Sequence, residues 1–190
     1  MLLNLVNMPS VCDNCALRLF NNKHYNLQGI GNPYYGICIV VPNVDYNAYK
    51  KGSMTFSEQV SIIKSIISST GEVDDVFILP LIRCNENIAC ELTKDIYNKC
   101  ITYFARDMRK YQFNHVMLLG DAGRRFLHCD ITDNLDNLCI SSKGKTYIVN
   151  YSPLIKYIDD NKFESFKSHL LKWYNSVKTN NFEQYNILRI

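Results

Sequence analysis

Several features that would place a chain outside the globular class are missing from this sequence. No apolar run approaches the roughly 20 residues that a membrane-spanning helix needs, and there is no internal repeat or low-complexity segment. The opening MLLNLVNMPS has neither a basic region nor a small-residue cleavage site, so it does not resemble a secretory signal. The net charge is only +3, which permits a polyanionic partner without requiring one. With 190 residues, 47% of them hydrophobic, we expect one domain over 1–190, in the cytoplasm and without membrane association.

Cysteine, by contrast, is abundant, with eight in the chain. Because the cytosol keeps thiols reduced, an intracellular protein with this many cysteines is expected to use them as free thiols or metal ligands rather than as disulfides. Cys12 and Cys15 form a Cys-x-x-Cys pair near the start of the chain. Redox motifs and zinc knuckles both use this spacing, so the pair alone does not define a function.

Apolar, β-branched runs alternate with amphipathic stretches along the chain. Four runs are typical of strands buried on both faces: ICIVV from residue 37, VFILPLI from 76, HVMLLG from 115 and KTYIVN from 145. Helical spacing follows the TFSE capping box at 55–58, spans about 88–111 and returns at 163–177, and DAGRRFL is expected to begin a short helix. This alternation predicts an α/β fold with a parallel sheet covered on both faces.

Two further cysteines are placed where they can join the opening pair. Cys84 directly follows the second strand, and Cys100 lies sixteen residues on, inside the long helix. Four thiolates from separate segments can bind an iron–sulfur cluster or a tetrahedral zinc. The other cysteines lie where free thiols usually fill core space. These are Cys38, Cys90, Cys129 and Cys139.

The order of these cysteines resembles that of the iron–sulfur (family 4) uracil-DNA glycosylases. In that family a Cys-x-x-Cys pair is followed by a strand that ends in the third cysteine and by a helix that carries the fourth. VFILPLIRC looks like the strand leading into the third ligand, and HVMLLGDAGRRFL looks like a later strand with its Leu-Gly turn. KGKTYIVNYSPLIKY looks like the strand leading into the family's His-Pro loop. The resemblance runs from Cys12 to about Tyr174.

The resemblance implies a fold and a cofactor. The fold would be three-layer α/β/α, with a central four-stranded parallel sheet. The cofactor would be a [4Fe-4S] cluster, with zinc at the same thiols as the alternative. The implied metal ligands are Cys12, Cys15, Cys84 and Cys100.

The positions that carry the family's chemistry look altered. Glycosylases of this superfamily flip a base out of the duplex and break its bond to deoxyribose. The family's acid falls on Pro42, its base-reading Asn on Pro80 and its His on Ser152. Because one preorganised oxyanion donor contributes about 10²- to 10³-fold in rate, these changes together predict little activity on uracil. If the protein is active, the catalytic candidates are Asn43 or Asp45 to orient water and Ser152 or Asn150 in place of the His.

The loops after the strands should still face DNA on this fold, because backbone amides at turns and helix starts bind phosphate. Leu154 occupies the place where glycosylases wedge a side chain into the duplex. The tail over 175–190 is expected to dock on its own domain, with a partner chain as the alternative. The candidate DNA contacts are Lys50, Lys51, Arg83, Arg124, Arg125, Ser152, Leu154 and Lys156.

The sequence therefore leads to one preferred function and two rivals. We expect a catalytically degenerate, iron–sulfur-containing protein that binds DNA, or a protein such as a polymerase or replisome subunit, as an accessory factor in replication, repair or transcription. Its richness in Asn, Lys, Ile and Tyr, including 13 Tyr, is typical of an AT-rich genome such as that of a phage or a low-GC bacterium. The rivals are an active uracil or base-excision glycosylase with a divergent site, and a zinc-stapled interaction module without DNA contact.

Overall fold

The structure is a computed structural model that describes residue 12 and residues 15–20, 26–70, 73–86, 93–127 and 138–189. The helices in this part of the chain are α1 (Ala16–Phe20), α2 (Tyr46–Lys51), α3 (Glu58–Ile67), α4 (Lys94–Tyr111), α5 (Asp121–Leu127) and α6 (Asp160–Thr179). The strands are β1 (Ile30–Gly31), β2 (Ile37–Val44), β3 (Phe77–Asn85), β4 (His115–Leu119), β5 (Leu138–Ser142), β6 (Lys145–Asn150) and β7 (Asn186–Arg189). None of the described helices combines the length and the apolar character needed to cross a bilayer.

The strands form one sheet in the order β1-β3-β2-β4-β6-β5-β7. The strands predicted from the sequence correspond to β2, β3, β4 and β6, which are neighbours and run parallel to one another. At the edges, β1 runs antiparallel to β3, β5 antiparallel to β6, and β7 parallel to β5. The predicted α/β class is confirmed. The prediction of a four-stranded parallel sheet is wrong, because the sheet is mixed and has seven strands.

The three additional strands lack the long apolar runs that mark the central ones. β1 has two residues, and every residue of β7 is exposed. β5 and β6 form a hairpin through Lys143 and Gly144, which both have positive φ, at 49° and 77°. Two left-handed residues in a two-residue loop match the twist of the flanking strands. A search for buried parallel strands therefore finds β6 but misses β5, and with it the hairpin.

Helices cover both faces of the sheet. On β2, Ile37, Ile39 and Val41 belong to a core cluster that also contains apolar residues of α3 and α6. Between them, Cys38 and Val40 belong to a second cluster with residues of α4 and α5. Since successive side chains of a strand point to opposite faces, the alternation places α3 and α6 on one face and α4 and α5 on the other.

The helix starts differ slightly from the predicted ones. The cap of α3 is Ser57, whose hydroxyl accepts a hydrogen bond from the Val60 N–H at 3.3 Å. Thr55, the predicted capping residue, lies instead in a short 3₁₀ helix, Met54–Phe56. α4 begins after Thr93, whose hydroxyl oxygen accepts from the Ile96 N–H at 3.3 Å. The predicted start near residue 88 lies outside the described residues, as do Cys90 and Cys129.

The tail after α6 folds back onto the domain. The ring of Phe182 stacks on that of His115 with centroids 5.5 Å apart, and Tyr185 is buried in the same core cluster as α6. The following residues form β7 on the sheet edge. Over its described residues, the tail packs on its own chain.

Candidate functional site

The four cysteines singled out by the sequence lie together near the carboxyl end of β3. Cys15 precedes α1, Cys84 is the penultimate residue of β3, and Cys100 lies in the first half of α4; all three belong to one buried cluster. Cys12 joins them because its carbonyl accepts from the Cys15 N–H at 3.2 Å and its Sγ is 3.0 Å from the hydroxyl of Tyr103, one turn along α4 from Cys100. The fold thus brings together thiols from three separate segments.

Hydrogen-bonding groups lie beside three of these four sulfur atoms. The Tyr103 hydroxyl is hydrogen-bonded to Cys12 Sγ. A backbone hydrogen bond also reaches each of the Cys84 and Cys100 thiols. Such bonds favour the thiolate over the thiol and tune sulfur-ligated centres. The backbone bonds therefore favour the thiolate form at Cys84 and Cys100, against the effect of burial.

Burial raises the pKa of Cys84 to about 12 and that of Cys100 to about 11, from a usual value of 9.0. The apolar cluster penalises the charged form, and the neighbouring thiols add to the effect. At neutral pH the chain alone therefore holds both groups as neutral thiols. Gathering four thiolates here requires a compensating positive charge, which a metal centre provides.

The geometry of a single ion is more demanding than that of a cluster. A zinc ion with four thiolate ligands holds their sulfur atoms about 3.8 Å apart, given Zn–S bonds of about 2.3 Å. A [4Fe-4S] cluster binds each thiolate through a different iron, which sets the sulfur atoms further apart. Among the described residues, no group of three or more His, Cys, Asp or Glu side chains is arranged so that it can hold a metal ion.

Arg83, predicted to contact DNA, is buried beside the cysteine cluster, with 1% of its surface exposed. Its guanidinium forms an ion pair with Asp107 and lies over the Tyr103 ring, 5.2 Å from the centroid. It also donates to the Gln28 side-chain oxygen at 3.2 Å. Burial lowers the pKa of Arg83, and Asp107 opposes that shift. Because this guanidinium is unavailable to a phosphate, we remove Arg83 from the predicted DNA contacts.

Replacing Asp107 by alanine is expected to destabilise the protein by about 3–5 kcal/mol, because it leaves the buried Arg83 charge without its partner. Urea unfolding followed by circular dichroism measures the change. Asp95→Ala is the matched control, since it breaks an exposed pair with Lys99 on the same helix and should hardly move the midpoint. Equal, small shifts in both variants would contradict a stabilising role for the buried pair.

A second candidate site lies at the carboxyl edge of the sheet, between β2 and β4. The chain passes from β2 through α3 to β3 on one side, and from β4 through α5 toward β6 on the other. Ligands of α/β proteins bind where the strand order reverses in this way. Gly120, with φ of +52°, sits at this point, and a Cβ on it would lie 3.0 Å from Ser152 Cβ and 3.4 Å from Pro42 Cγ. Three strand ends therefore approach closely only because residue 120 is a glycine.

Asp45, a catalytic candidate, is engaged in structural hydrogen bonds. Its carboxylate caps α2 by accepting from the Ala48 N–H at 3.0 Å. It also accepts from the Ser57 hydroxyl and from the Gln59 N–H, which lies at 3.4 Å. A base that activates water must direct a lone pair at a proton of that water, whereas this carboxylate joins α2 to the start of α3.

Asn150 and Ser152, the candidates on the loop after β6, also stabilise local structure. The Asn150 amide donates to the Phe166 carbonyl at 3.1 Å, and its oxygen accepts from the Tyr151 N–H at 2.8 Å. The Ser152 hydroxyl caps the 3₁₀ helix Pro153–Tyr157. Both side chains therefore form hydrogen bonds to backbone groups of their own chain.

Glu86 is a functional candidate that the sequence analysis missed. It follows β3, is half-buried, and is hydrogen-bonded to the side chain of Asn43, the remaining catalytic candidate. Burial raises the pKa of the Glu86 carboxyl group, while the bond from Asn43 and the charge of Arg125 lower it. A carboxylate in this place can exchange a proton with a ligand. The available signal was an acidic residue directly after a buried parallel strand.

The other predicted DNA contacts differ in their surroundings. Lys50, Lys51 and Lys156 are exposed on segments that follow β2 and β6. Arg124 and Arg125 both lie near Asp121, at 3.6 and 3.3 Å, so part of their charge is neutralised. Ser152 is a cap, as described above. Leu154 is half-buried against the core, so it is not presented as a wedge.

Exposed aromatic rings accompany these lysines. Tyr46, Phe56 and Tyr157 are exposed by 62, 54 and 60%, on α2, the Met54–Phe56 turn and the Pro153–Tyr157 turn. The Tyr157 hydroxyl donates to the Glu58 carboxylate, which joins the last of these segments to α3. We call the surface formed by these three rings and the three lysines the aromatic rim. Its members are Tyr46, Lys50, Lys51, Phe56, Lys156 and Tyr157.

Comparison of the chain with protein-family models and with curated proteins finds no match.

Proposed function

We propose that this protein is a DNA-binding accessory factor on a uracil-DNA glycosylase-like α/β domain, stapled by a [4Fe-4S] cluster and without glycosylase activity. The observation that carries the proposal is the convergence of Cys12, Cys15, Cys84 and Cys100, which come from three chain segments. A bound cluster would supply the positive charge and the covalent links that hold four thiolates together. The chain contributes Tyr103 and backbone donors that orient the sulfur atoms.

Zinc at the same thiols is the alternative cofactor. It would staple the same segments, so the fold alone does not separate the two. We favour the cluster because the order of the cysteines resembles that of the iron–sulfur glycosylases and because each thiolate can then bind a separate iron. Metal content distinguishes the two proposals directly.

The loss of glycosylase chemistry is supported by how the candidate side chains are used. Asp45 and Asn150 have their polar groups engaged by neighbouring backbone. Pro42 stands where the family has its acid, and proline offers no proton-transfer group. Without these groups the carboxyl edge can still bind a ligand but lacks the preorganised donors that accelerate base release.

The aromatic rim is the proposed DNA surface. Cations that follow the backbone, together with aromatic rings on which bases stack, are the usual features of single-strand binding sites. Tyr46, Phe56 and Tyr157 are each more than half exposed, so packing in the core does not account for these rings. We therefore expect the rim to bind single-stranded DNA more tightly than duplex.

The Lys50→Gln, Lys51→Gln, Lys156→Gln triple variant is expected to bind single-stranded DNA more weakly, with a smaller salt dependence. Each lost phosphate contact should reduce the slope of log affinity against log salt by about 0.7. Fluorescence anisotropy with a labelled oligothymidine over a salt series measures this slope. Lys110→Gln is the control, because Lys110 lies at the carboxyl end of α4, where the chain leads into the opposite edge of the sheet. An unchanged slope in the triple variant would contradict the assignment of the rim.

One observation favours the rival, an active glycosylase. Glu86 places a half-buried carboxyl group beside Asn43 at the carboxyl edge. There it can serve as the catalytic acid in place of the family residue that falls on Pro42. The rival requires turnover on uracil-containing DNA that depends on Glu86.

A further inference from the structure

An apolar groove of about 240 Å³ opens on the sheet face covered by α4 and α5. Phe104 of α4, Phe126 of α5 and Tyr147 of β6 supply aromatic walls. Ala105, an exposed residue of α4, also lines the groove. The groove has room for one or two apolar side chains from outside.

The groove continues as an apolar strip across the edge of the sheet. Tyr147 of β6 is paired with Ile140 of β5, and Ile140 is paired with Leu188 of β7. Paired residues of neighbouring strands share a face of the sheet, so these three side chains lie on the face that carries the groove. Leu188 is 50% exposed. Tyr147 and Ile140 are half-buried, so the groove and the strip together form a partly exposed apolar surface, a feature of binding sites.

Positive charge borders this surface. Arg109 and Lys145 line the groove. Within the described part of the chain, neither forms an ion pair and the groove is lined by no acidic side chain. A ligand with apolar side chains and a negatively charged face would therefore complement both the apolar walls of the groove and the two cations beside them.

We propose that the groove and the adjoining strip bind an acidic amphipathic helix of a partner protein. An amphipathic helix lays apolar residues at positions i, i+3 or i+4, and i+7 into such a groove, and its acidic residues would meet Arg109 and Lys145. Nucleic acid is the poorer fit, because two cations beside an apolar cleft do not follow a phosphate backbone. Lys145 begins β6, whereas the aromatic rim lies beyond its end, so this surface is separate from the proposed DNA surface. The proposal does not depend on the metal centre.

A synthetic, fluorescein-labelled helical peptide tests this proposal, with Leu and Phe at the anchor positions and Glu elsewhere. A peptide of the same composition in scrambled order is its control. Anisotropy titrations compare the wild-type protein with Ala105→Arg, which fills the groove and adds positive charge. We expect Ala105→Arg to weaken binding by about tenfold or more, as for the loss of a central anchor contact. The scrambled peptide should bind the wild-type protein at least as weakly as the original peptide binds Ala105→Arg.

Two further variants separate charge from shape and guard against misfolding. Arg109→Gln with Lys145→Gln should weaken binding and flatten its salt dependence. Leu188→Lys, on the exposed edge strand, should weaken binding although it adds charge. Circular dichroism melts identify the variants that remain folded, and any one of them suffices for the test.

Three results would overturn the proposal. Equal or tighter binding by folded Ala105→Arg or Leu188→Lys would show that attraction is only electrostatic. Equal binding of the scrambled peptide would show that no helical face is recognised. Displacement of the peptide by oligothymidine, with oligothymidine binding itself reduced in Ala105→Arg, would assign the groove to nucleic acid instead.

Discussion

Replacing Cys84 by alanine is expected to abolish iron binding and the brown colour of the anaerobically purified protein. Cys84 shares one buried cluster with Cys15 and Cys100, so its loss removes the proposed ligand supplied by β3. Because ligand binding and folding are coupled at such sites, the thermal midpoint should fall as well. Iron per chain, measured by elemental analysis beside the visible spectrum, gives the result.

Cys139→Ala is the matched control for this experiment. Cys139 is also a fully buried thiol, but it belongs to the core cluster of α3 and α6 rather than to that of Cys84. We expect this variant to keep its iron and its colour. Full iron occupancy in Cys84→Ala, or equal loss in both variants, would contradict the ligand assignment.

Uracil-containing DNA is expected to remain intact in the presence of this protein, both as a single strand and as a duplex. On the proposed resemblance to the iron–sulfur glycosylases, Pro42, Pro80 and Ser152 stand in place of the acid, the Asn and the His, and each preorganised donor contributes about 10²- to 10³-fold in rate. Incubation with labelled oligonucleotide, followed by alkali and gel separation, detects abasic sites. We expect no cleavage above the protein-free control, even at stoichiometric protein.

Robust turnover in that assay would favour the rival, and the Glu86 carboxylate would then be the group to test. Glu86→Gln should abolish turnover in an active enzyme because glutamine has no carboxylate to accept a proton. Lys110→Gln, at the opposite edge of the sheet, should leave it unchanged. Retained turnover in Glu86→Gln would exclude Glu86 as the replacement acid.

The central strands were predictable because burial on both faces leaves an unmistakable apolar signature. β2, β3 and β4 have it over most of their length and β6 over its second half, and their helical connections specify parallel pairing. β5 and β7 are edge elements with polar or exposed residues, so the same criterion passes over them. Their pairing depends on the Lys143–Gly144 turn and on the path of the tail.

The candidate sites were predictable to different degrees. The spacing of the cysteines anticipated that Cys84 and Cys100 would approach the N-terminal pair, since one follows a strand and the other lies on the next helix. The burial of Arg83 was not predictable, because it depends on Asp107, which lies 24 residues away in the chain. From the sequence, Asp45 could equally be a free acid. Only the structure, in which Ser57 and Gln59 approach its carboxylate, shows that it is a cap.

Two separate surfaces would suit the proposed accessory role. The aromatic rim follows the carboxyl ends of the strands, and the apolar groove reaches the amino end of β6. A protein that binds DNA with one surface and a partner helix with the other can hold the two together without catalysing a reaction. Both surfaces can be altered independently, since they share no residue.

The iron and acid-labile sulfide content of the anaerobically purified wild-type protein tests the central claim most directly. We expect about four irons and four sulfides per chain, as four cysteine ligands of a [4Fe-4S] cluster require. One zinc per chain and no sulfide, or a metal-free protein whose four thiols all react with an alkylating agent while it remains folded, would contradict it.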